Sequence, residues 1–271
     1  VAPDKNEKAN NSDMASNVRS RLSARGFKEM GIGWYRYTFT PGEEMKNRRV
    51  LVDFEGIMLV GDVYLNGERI GGTDYGYVGF DIDITHQLKY GQKNVIAVKA
   101  DTRNPDNSRW YTGGGLFRDV HLVLTDPQLY FTRNPLEITT PKADNQSATV
   151  KIQAEMAFYL DKNQSLDVNT KIIDAAGRMV ADHTTKVSFN RAQKVCEHPL
   201  DSLSLSRPNL WSCESPYLYQ AQITLYRADG TIADQVTEPF GIRTLEYSPA
   251  FGLKLNGKKV LLKGIANHHT L

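Results

Sequence analysis

The sequence of 271 residues has few cysteines, no long apolar run and almost no net charge, and each shortage excludes a class of protein. The two cysteines, Cys196 and Cys213, are too few for a disulfide scaffold, and their separation leaves open either one bridge or two free thiols. No stretch approaches the roughly 18 apolar residues that span a bilayer. A net charge of +2 lacks the basic excess typical of nucleic-acid binders. We therefore expect neither a membrane nor a nucleic-acid partner.

The sequence also lacks the short motifs that mark common catalytic and cofactor sites. It contains no GxSxG nucleophile elbow, no HExxH zinc motif and no GxGxxG segment after a strand. No Cys/His cluster has the spacing of zinc ligands. The residues themselves therefore point to no metal or nucleotide cofactor.

Short strand signals, without a long helical pattern, run through the first half of the chain. Tyr35, Tyr37 and Phe39 alternate with polar residues after Trp34, which predicts a half-buried strand whose aromatic rings fill a core. The pair Asn66-Gly67 predicts a tight hairpin, since both turn positions require positive φ. Further strands are predicted at 49–54, 80–84, 94–99 and 119–124. Many short strands separated by turns are typical of an antiparallel sandwich.

A second all-β stretch follows Thr125-Asp126-Pro127, where proline is expected to end a strand. Its strands at 148–154, 167–173, 185–189, 219–226 and 231–236 fit an immunoglobulin-like sandwich. A third piece starts near residue 240 and holds the hairpin pair Asn256-Gly257. The apolar run Val260–Leu262 does not alternate, which predicts a strand buried on both faces. The expected domains are 1–127, 128–241 and 242–271, and the third is expected to be incomplete.

The segment 103–118 is the first candidate for chemistry, because it combines three arginines, the aromatic pair Trp110-Tyr111 and three consecutive glycines. Trp110 and Tyr111 have flat apolar faces with polar tips, which suit stacking on a sugar ring or on a neighbouring domain. A packed interdomain loop is the alternative. The glycines do not have the spacing of a phosphate-binding loop.

The sequence contains two other groups of titratable residues that could carry chemistry. His268 and His269 follow the last predicted strand, where histidine can donate hydrogen bonds, bind metal or exchange protons near neutral pH. Adjacent strand residues face opposite ways, so both rings cannot bind one metal without a bend. Asp81 and Asp83 share one strand face, and the alternation of their apolar neighbours places both carboxylates in solvent.

Several motifs together resemble glycoside hydrolase family 2, most closely its bacterial β-galactosidases. The motifs occur in the family's order, over about residues 30 to 271: GIGWYR at 31–36, DVYLNG at 62–67, NSRWYTG at 107–113 with LFRDV at 116–120, LWS at 210–212 with PYLY at 216–219, and FGIR at 240–243 with LNGK at 255–258 and KGI at 263–265. The resemblance implies an N-terminal jelly-roll sugar-binding domain, an immunoglobulin-like domain and the start of a TIM-barrel catalytic domain.

The resemblance also implies retaining hydrolysis of terminal β-D-galactosides by two glutamates on barrel strands, whose carboxyl groups lie about 5–5.5 Å apart. Both glutamates lie beyond Leu271 in the family pattern, so this chain is expected to be inactive alone and to need the C-terminal barrel as its partner. No cofactor is expected in this part, although a monovalent or divalent cation is implied for the full-length enzyme. β-Glucuronidase, β-mannosidase and a free-standing carbohydrate-binding module of two sandwiches are the alternatives.

By the same resemblance, Ser108, Arg109 and Trp110 extend towards the barrel mouth and border the sugar substrate. His268 matches a histidine that ends the first barrel strand and lines the sugar subsite. Some members have an ion-holding acidic residue where Ser108 stands, so serine weakens that expectation here. Residues 1–28 lack the family's usual Asp-Trp pair, which predicts a missing edge strand or an unusual leader. The resemblance further suggests a homo-oligomer. It also suggests that the protein is located in the bacterial periplasm or is secreted, and a cytoplasmic location is the alternative.

Overall fold

A computed structural model describes residues 31–103 and 113–265 of the chain. Apart from the 3-10 turn Glu43–Met45, all regular secondary structure in these ranges is β-strand, which confirms the all-β prediction. No helix of the described residues is long and apolar enough to cross a membrane. The chain forms two compact units, one made mainly of Leu51–Leu122 and the other mainly of Val123–Ile265.

The first unit is built from nine strands in three sheets. The strands are β1 (Ile32–Phe39), β2 (Arg49–Phe54), β3 (Ile57–Met58), β4 (Val60–Leu65), β5 (Glu68–Thr73), β6 (Phe80–Asp83), β7 (Asn94–Asp101), β8 (Gly115–Leu116) and β9 (Val120–Thr125). Their orders are β1-β7-β4-β5, β6-β2-β9 and β3-β8. The chain passes into the second unit within β9. Alternate residues of β7 are buried, as expected for a strand with one face on a core.

The Asn66-Gly67 hairpin is confirmed, and its turn is tied to a third strand. Asn66 and Gly67 have φ values of 54° and 93°, as the two central positions of a type I′ turn require. The Asn66 side chain accepts a hydrogen bond from the Val95 backbone N–H at 3.0 Å, and the Asn66 backbone N–H donates to the Val95 carbonyl at 2.9 Å. The turn therefore holds β4, β5 and β7 in one register.

The aromatic residues of β1 do not fill a core, contrary to the sequence prediction. Trp34, Tyr35 and Tyr37 are all exposed, and Tyr37 retains 69% of its accessible surface. β1 is the outermost strand of its sheet and, among the described residues, pairs only with β7. Alternation in sequence sorts side chains onto two faces, but a second layer must cover a face to bury it.

The second unit contains a two-sheet sandwich with one continuous core. Its strands are β10 (Leu129–Ala143), β11 (Ser147–Phe158), β12 (Gln164–Ile173), β13 (Met179–Phe189), β14 (Val195–Pro199), β15 (Leu203–Ser206), β16 (Tyr219–Tyr226) and β17 (Ile232–Phe240). One sheet has the order β10-β11-β14 with β15 also on β11, and the other has β13-β12-β16-β17. Buried apolar residues of both sheets share one cluster. Five of these eight strands were predicted from the sequence, and β10, β14 and β15 were missed.

A small sheet follows the sandwich, and the run after it is not a buried strand. β18 (Leu245–Ser248), β19 (Gly252–Leu255) and β20 (Lys258–Lys259) form a three-stranded sheet around the predicted Asn256-Gly257 turn. Val260–Leu262 forms no strand, and Leu261 retains 78% of its surface, so the prediction for this run is wrong. A strand buried on both faces needs covering layers on both sides, and the described residues provide neither.

Both cysteines carry free thiols in the structure. Cys196 is half-buried and Cys213 is exposed. Of the two states that the sequence left open, a disulfide bridge or two free thiols, the structure has the free thiols.

Candidate functional site

The predicted site residues lie outside the part of the chain that the structure describes. These residues are Ser108, Arg109, Trp110 and His268, and the neighbouring His269 shares their position beyond it. The structure does describe both ends of the segment 103–118, where it leaves β7 and where it returns through the glycines to β8. The candidate site is therefore built from these two ends.

Thr102 anchors the end that leaves β7. Its hydroxyl accepts a hydrogen bond from the Gly31 N–H at 3.0 Å and donates to the Gly31 carbonyl at 2.9 Å. The Thr102 backbone N–H donates to the same carbonyl at 2.9 Å. Three hydrogen bonds to one residue tie the start of the segment to the entry of β1.

The glycines at the returning end are required by close packing. A Cβ atom at Gly115 would lie 2.0 Å from the Tyr35 hydroxyl, and the residue has a φ of 96°. A Cβ atom at Gly114 would lie 2.7 Å from Cγ2 of Thr102. Gly113, in contrast, has no heavy atom within 4 Å of such a position. Two of the three glycines therefore let the chain pass over β1 and β7.

A row of alternating charges crosses the exposed face of the first sheet and reaches the start of the segment. Arg69 Nε lies 2.8 Å from Asp62 Oδ1, and Lys99 Nζ lies 3.5 Å from Asp62 Oδ2. Lys99 Nζ also lies 3.8 Å from Asp101 Oδ2. Arg103 donates from Nε to Asp101 Oδ1 at 3.1 Å and from Nη2 to Oδ2 at 2.9 Å. Both carboxylates are thus held between two cations.

Because of these contacts, Asp62 and Asp101 stabilise the sheet and are not suited to donate a proton. The hydrogen bond from Arg103 lowers the pKa of Asp101, and the hydrogen bond from Arg69 lowers the pKa of Asp62. A general acid for glycoside cleavage needs a raised pKa so that it holds its proton at working pH. Neither group meets that requirement.

Three further carboxylates, Asp81, Asp83 and Asp234, are either exposed or held by backbone hydrogen bonds. Asp81 and Asp83 are exposed, as the sequence predicted. Burial raises the pKa of Asp234 in the second unit, but its carboxylate accepts hydrogen bonds from the backbone N–H groups of Phe131 and Gln235, both at 2.9 Å. Within the described ranges, no group of three or more His, Cys, Asp or Glu residues could hold a metal ion.

Replacing Arg103 with methionine is expected to raise the pKa of Asp101, because the guanidinium is the main cause of its depression. The paired carboxylate stabilises the fold above its unfolded pKa, and this contribution is lost as the pH falls through the lower folded value. The variant should therefore lose less stability on acidification. Carboxyl carbon NMR titration measures the shift, with Lys142→Met as a control. An unchanged Asp101 titration in Arg103→Met would contradict the assignment.

Two exposed aromatic residues near this site were not singled out in the sequence. Tyr75 and Tyr77 lie in the connection between β5 and β6, on either side of the buried Gly76. The only signal for them is the Tyr-Gly-Tyr triplet, which strand-periodicity reasoning treats as a turn.

In the second unit, motifs that are far apart in sequence come together around Trp211. Its backbone N–H donates to the Ile242 carbonyl at 2.8 Å, and its carbonyl accepts from Asn256 Nδ2 at 3.0 Å. The guanidinium of Arg243 lies over the indole ring, 4.8 Å from its centroid. A Cβ atom at Gly241 would lie 2.9 Å from the Trp211 side chain. The Leu-Trp-Ser and Phe-Gly-Ile-Arg motifs thus form one packing unit with the last hairpin.

Two family models match adjacent parts of the chain. The glycosyl hydrolase 2 galactose-binding domain-like model matches residues 32–133, and the model of glycosyl hydrolases family 2 matches residues 135–243. The chain belongs to glycosyl hydrolase family 2. The two matches meet within β10, the first strand of the two-sheet sandwich of the second unit.

Solved structures and curated relatives of the family 2 chain agree with this assignment. A family 2 member from Bacteroides cellulosilyticus superposes with a TM-score of 0.81 at 33% identity, over 89% of this chain and 30% of that one. The β-galactosidase BoGH2A of Bacteroides ovatus is 32% identical over 241 residues, which are 89% of this chain and 28% of that protein. A β-glucuronidase of Bacteroides fragilis is 29% identical over 269 residues, 93% of this chain and 37% of that protein.

The chain is therefore related to glycosidases, and the similarity covers only a part of each relative. It spans between 22% and 37% of the length of the curated relatives that it matches. The matched part contains the nine strands of the first unit and the two-sheet sandwich of the second.

Proposed function

We propose that this chain is the supporting N-terminal portion of a retaining β-glycosidase that hydrolyses terminal β-D-galactosides. The observation that carries the proposal is the adjacent match of two family 2 domain models, over 32–133 and 135–243. The β-galactosidase relative from Bacteroides ovatus supports the choice of sugar, with 32% identity over 241 residues.

The proposal assigns support, and not bond cleavage, to the described residues. Retaining hydrolysis needs a nucleophilic carboxylate and a carboxylic acid with a raised pKa, about 5–5.5 Å apart. Asp62 and Asp101 are held between cations that lower the pKa of each. We therefore assign both catalytic glutamates to a barrel that a longer polypeptide supplies.

The segment between Arg103 and Gly113 is proposed to border the substrate. Its two ends are tied down by Thr102 and by the packing of Gly114 and Gly115, so a loop starting and ending there has a fixed base. Within this proposal, Ser108, Arg109 and Trp110 contact the sugar at the barrel mouth. His268 lines the same subsite from the first barrel strand.

The purified 271-residue chain is expected to give no hydrolysis of p-nitrophenyl β-D-galactoside, because it holds neither catalytic glutamate. Release of nitrophenolate, followed by absorbance, measures this directly. A longer polypeptide from the same gene, including the region after residue 271, should hydrolyse the substrate. Turnover that remains with the homogeneous 271-residue chain, or a gene that ends there, would contradict the proposal.

A β-glucuronidase is the second candidate, because the Bacteroides fragilis relative aligns with 93% of this chain at 29% identity. The longer polypeptide tested on p-nitrophenyl β-D-galactoside, β-D-glucuronide and β-D-mannoside separates the activities. Faster turnover of the galactoside supports the first candidate, and faster turnover of the glucuronide supports the second.

A further inference from the structure

The sheet β13-β12-β16-β17 of the second unit carries a polar groove of about 450 Å³ on its outer face. Leu166, Val168 and Ile172 of β12 point into the core, so the residues that alternate with them point away from it. The groove follows β12 and reaches the turn between β16 and β17. We call it the β12 groove, and its lining includes Asp167, Asn169, Lys171, Asp182, Thr184 and Tyr226.

Asn169 lies in the middle of the β12 groove, and its hydrogen bonds fix the orientation of its amide group. Its Nδ2 donates to Asp182 Oδ1 at 2.6 Å, to Thr184 Oγ1 at 3.1 Å and to the His183 carbonyl at 3.2 Å. A carboxylate and a backbone carbonyl can only accept. The nitrogen of the amide must therefore face β13, and the oxygen Oδ1 points away from that strand.

The Asn169 oxygen is a buried acceptor without a donor. Asn169 is only 8% exposed, and its Oδ1 accepts no hydrogen bond from the part of the chain that the structure describes. Folded proteins pair nearly all buried polar atoms, so a specific exception calls for a donor from outside the fold. The residues around Asn169 indicate which chemistry that donor has.

Two charged groups beside Asn169 are also available to a ligand. Lys171 and Asp182 are register partners on β12 and β13, yet they form no ion pair with each other. The Lys171 ammonium has no hydrogen bond or ion pair within the described ranges, and Asp182 uses only Oδ1. Lys186, in contrast, is paired with Asp167 at 2.7 Å. The β12 groove therefore presents one unpaired ammonium and one partly used carboxylate side by side.

We propose that the β12 groove binds a small zwitterion of the α-amino acid type. The ammonium group of such a ligand donates three hydrogen bonds, which Asn169 Oδ1, Asp182 Oδ2 and the Thr184 hydroxyl can accept. Its carboxylate accepts from the Lys171 ammonium in a charge-assisted hydrogen bond. Lys171 loses no hydrogen bond when it moves to meet the carboxylate, so the Asn169 oxygen can be uncovered at low cost.

Other ligand classes match the β12 groove less well. A metal cation is repelled by Lys171 and Lys186, and an anion without a positive charge is repelled by Asp182. A neutral polyol leaves both Lys171 and Asp182 without an opposite charge when it displaces their water. The zwitterion compensates both charges at once. This binding goes beyond the proposed hydrolytic function and does not depend on it.

Titration of the ¹⁵N-labelled 271-residue chain, followed by proton–nitrogen correlation NMR, tests the proposal with glycine as the zwitterionic probe. Glycine is expected to give saturable shifts of the Asn169 side-chain amide and of backbone amides in β12 and β13. Trimethylglycine keeps both charges but has no N–H group, and acetate keeps only the carboxylate. Each should bind at least about tenfold more weakly than glycine.

Two variants and a matched control assign the binding to the β12 groove. Lys171→Met and Asp182→Asn should each weaken glycine binding at least about tenfold, and the second keeps an acceptor for the Asn169 amide. Lys151→Met should bind glycine as the wild type does, since Lys151 is exposed on β11 in the other sheet. Thermal unfolding of Lys171→Met should match the wild type, because Lys171 has no partner to lose.

Three results would each overturn the proposal. They are the absence of saturable shifts with glycine, binding of acetate or trimethylglycine as tight as that of glycine, and an equal loss of affinity in Lys151→Met. Hydrolysis of p-nitrophenyl glycosides by the longer polypeptide tests the hydrolytic function separately.

Discussion

Gly72→Ala is expected to lower the free energy of unfolding of the first unit by about 3 kcal/mol or more, at the upper end of the cost of overpacking. The new Cβ atom would lie 2.0 Å from the Gly61 carbonyl oxygen and 3.1 Å from its carbon. Both atoms belong to the backbone of β4, which pairs with β5 at this point, so neither can rotate away. Relief requires that the two strands separate, which breaks their hydrogen bonds.

Two other glycines provide graded controls for this prediction. Gly31→Ala should be nearly neutral, because no heavy atom lies within 4 Å of its Cβ position. Gly71→Ala should have an intermediate effect, since its Cβ would lie 2.7 Å from Cδ1 of Ile82, the mobile end of a side chain. Urea unfolding, with hydrogen exchange of β4 and β5 to identify the unit, measures all three. Equal stability of Gly72→Ala and Gly31→Ala would show that β4 and β5 approach less closely than described.

Phe158→Ala is expected to destabilise the second unit by about 3–5 kcal/mol, the usual range for removing a buried aromatic ring. Phe158 is 1% exposed and stacks on Phe189, with ring centroids 5.0 Å apart. The two rings come from opposite sheets of the sandwich, so the cavity opens where the sheets are held together. Closing it would require both sheets to shift.

The residue that follows the end of β11 provides the matched control. Tyr159 follows Phe158 directly and is exposed, with its ring stacked on Tyr130. Tyr159→Ala should therefore cost less than about 1.5 kcal/mol, the upper value for an aromatic pair. Calorimetric unfolding of both variants compares the two faces of one chain segment. A cost for Phe158→Ala no greater than that for Tyr159→Ala would be incompatible with the described core.

Turns were the most predictable part of the fold. Asn66-Gly67 and Asn256-Gly257 both form the tight hairpins that the sequence predicts, with positive φ at all four residues. Few residue types adopt positive φ at low cost, so two adjacent residues that do so are a local signal. The long strand β10 was missed because residues 129–143 mix polar and apolar positions across two irregularities in pairing.

The residues of the candidate site were predicted mainly through resemblance. The contacts that hold the two ends of the segment in place were not predicted. The order of the motifs pointed to Ser108, Arg109, Trp110 and His268, which remain predictions. The roles of Gly114 and Gly115 depend on Thr102 and Tyr35, which come close to them only in the folded chain. The exposed pair Tyr75 and Tyr77 was missed because exposure and ring contact arise only when the loop is folded.

By itself, the sequence determined the all-β class, the positions of the hairpins and the family, because each depends on residue type and spacing along the chain. Only the tertiary structure decided which faces are buried. Tyr35, Tyr37 and Phe39 alternate as a core strand does, yet β1 lies at a sheet edge, where Tyr35 and Tyr37 are exposed. Val260–Leu262 is apolar like a central strand, yet it forms no strand and Leu261 is exposed, although the Val260 N–H donates to the Leu253 carbonyl at 2.9 Å. Burial is a property of neighbours brought together by folding, and local pattern does not contain it.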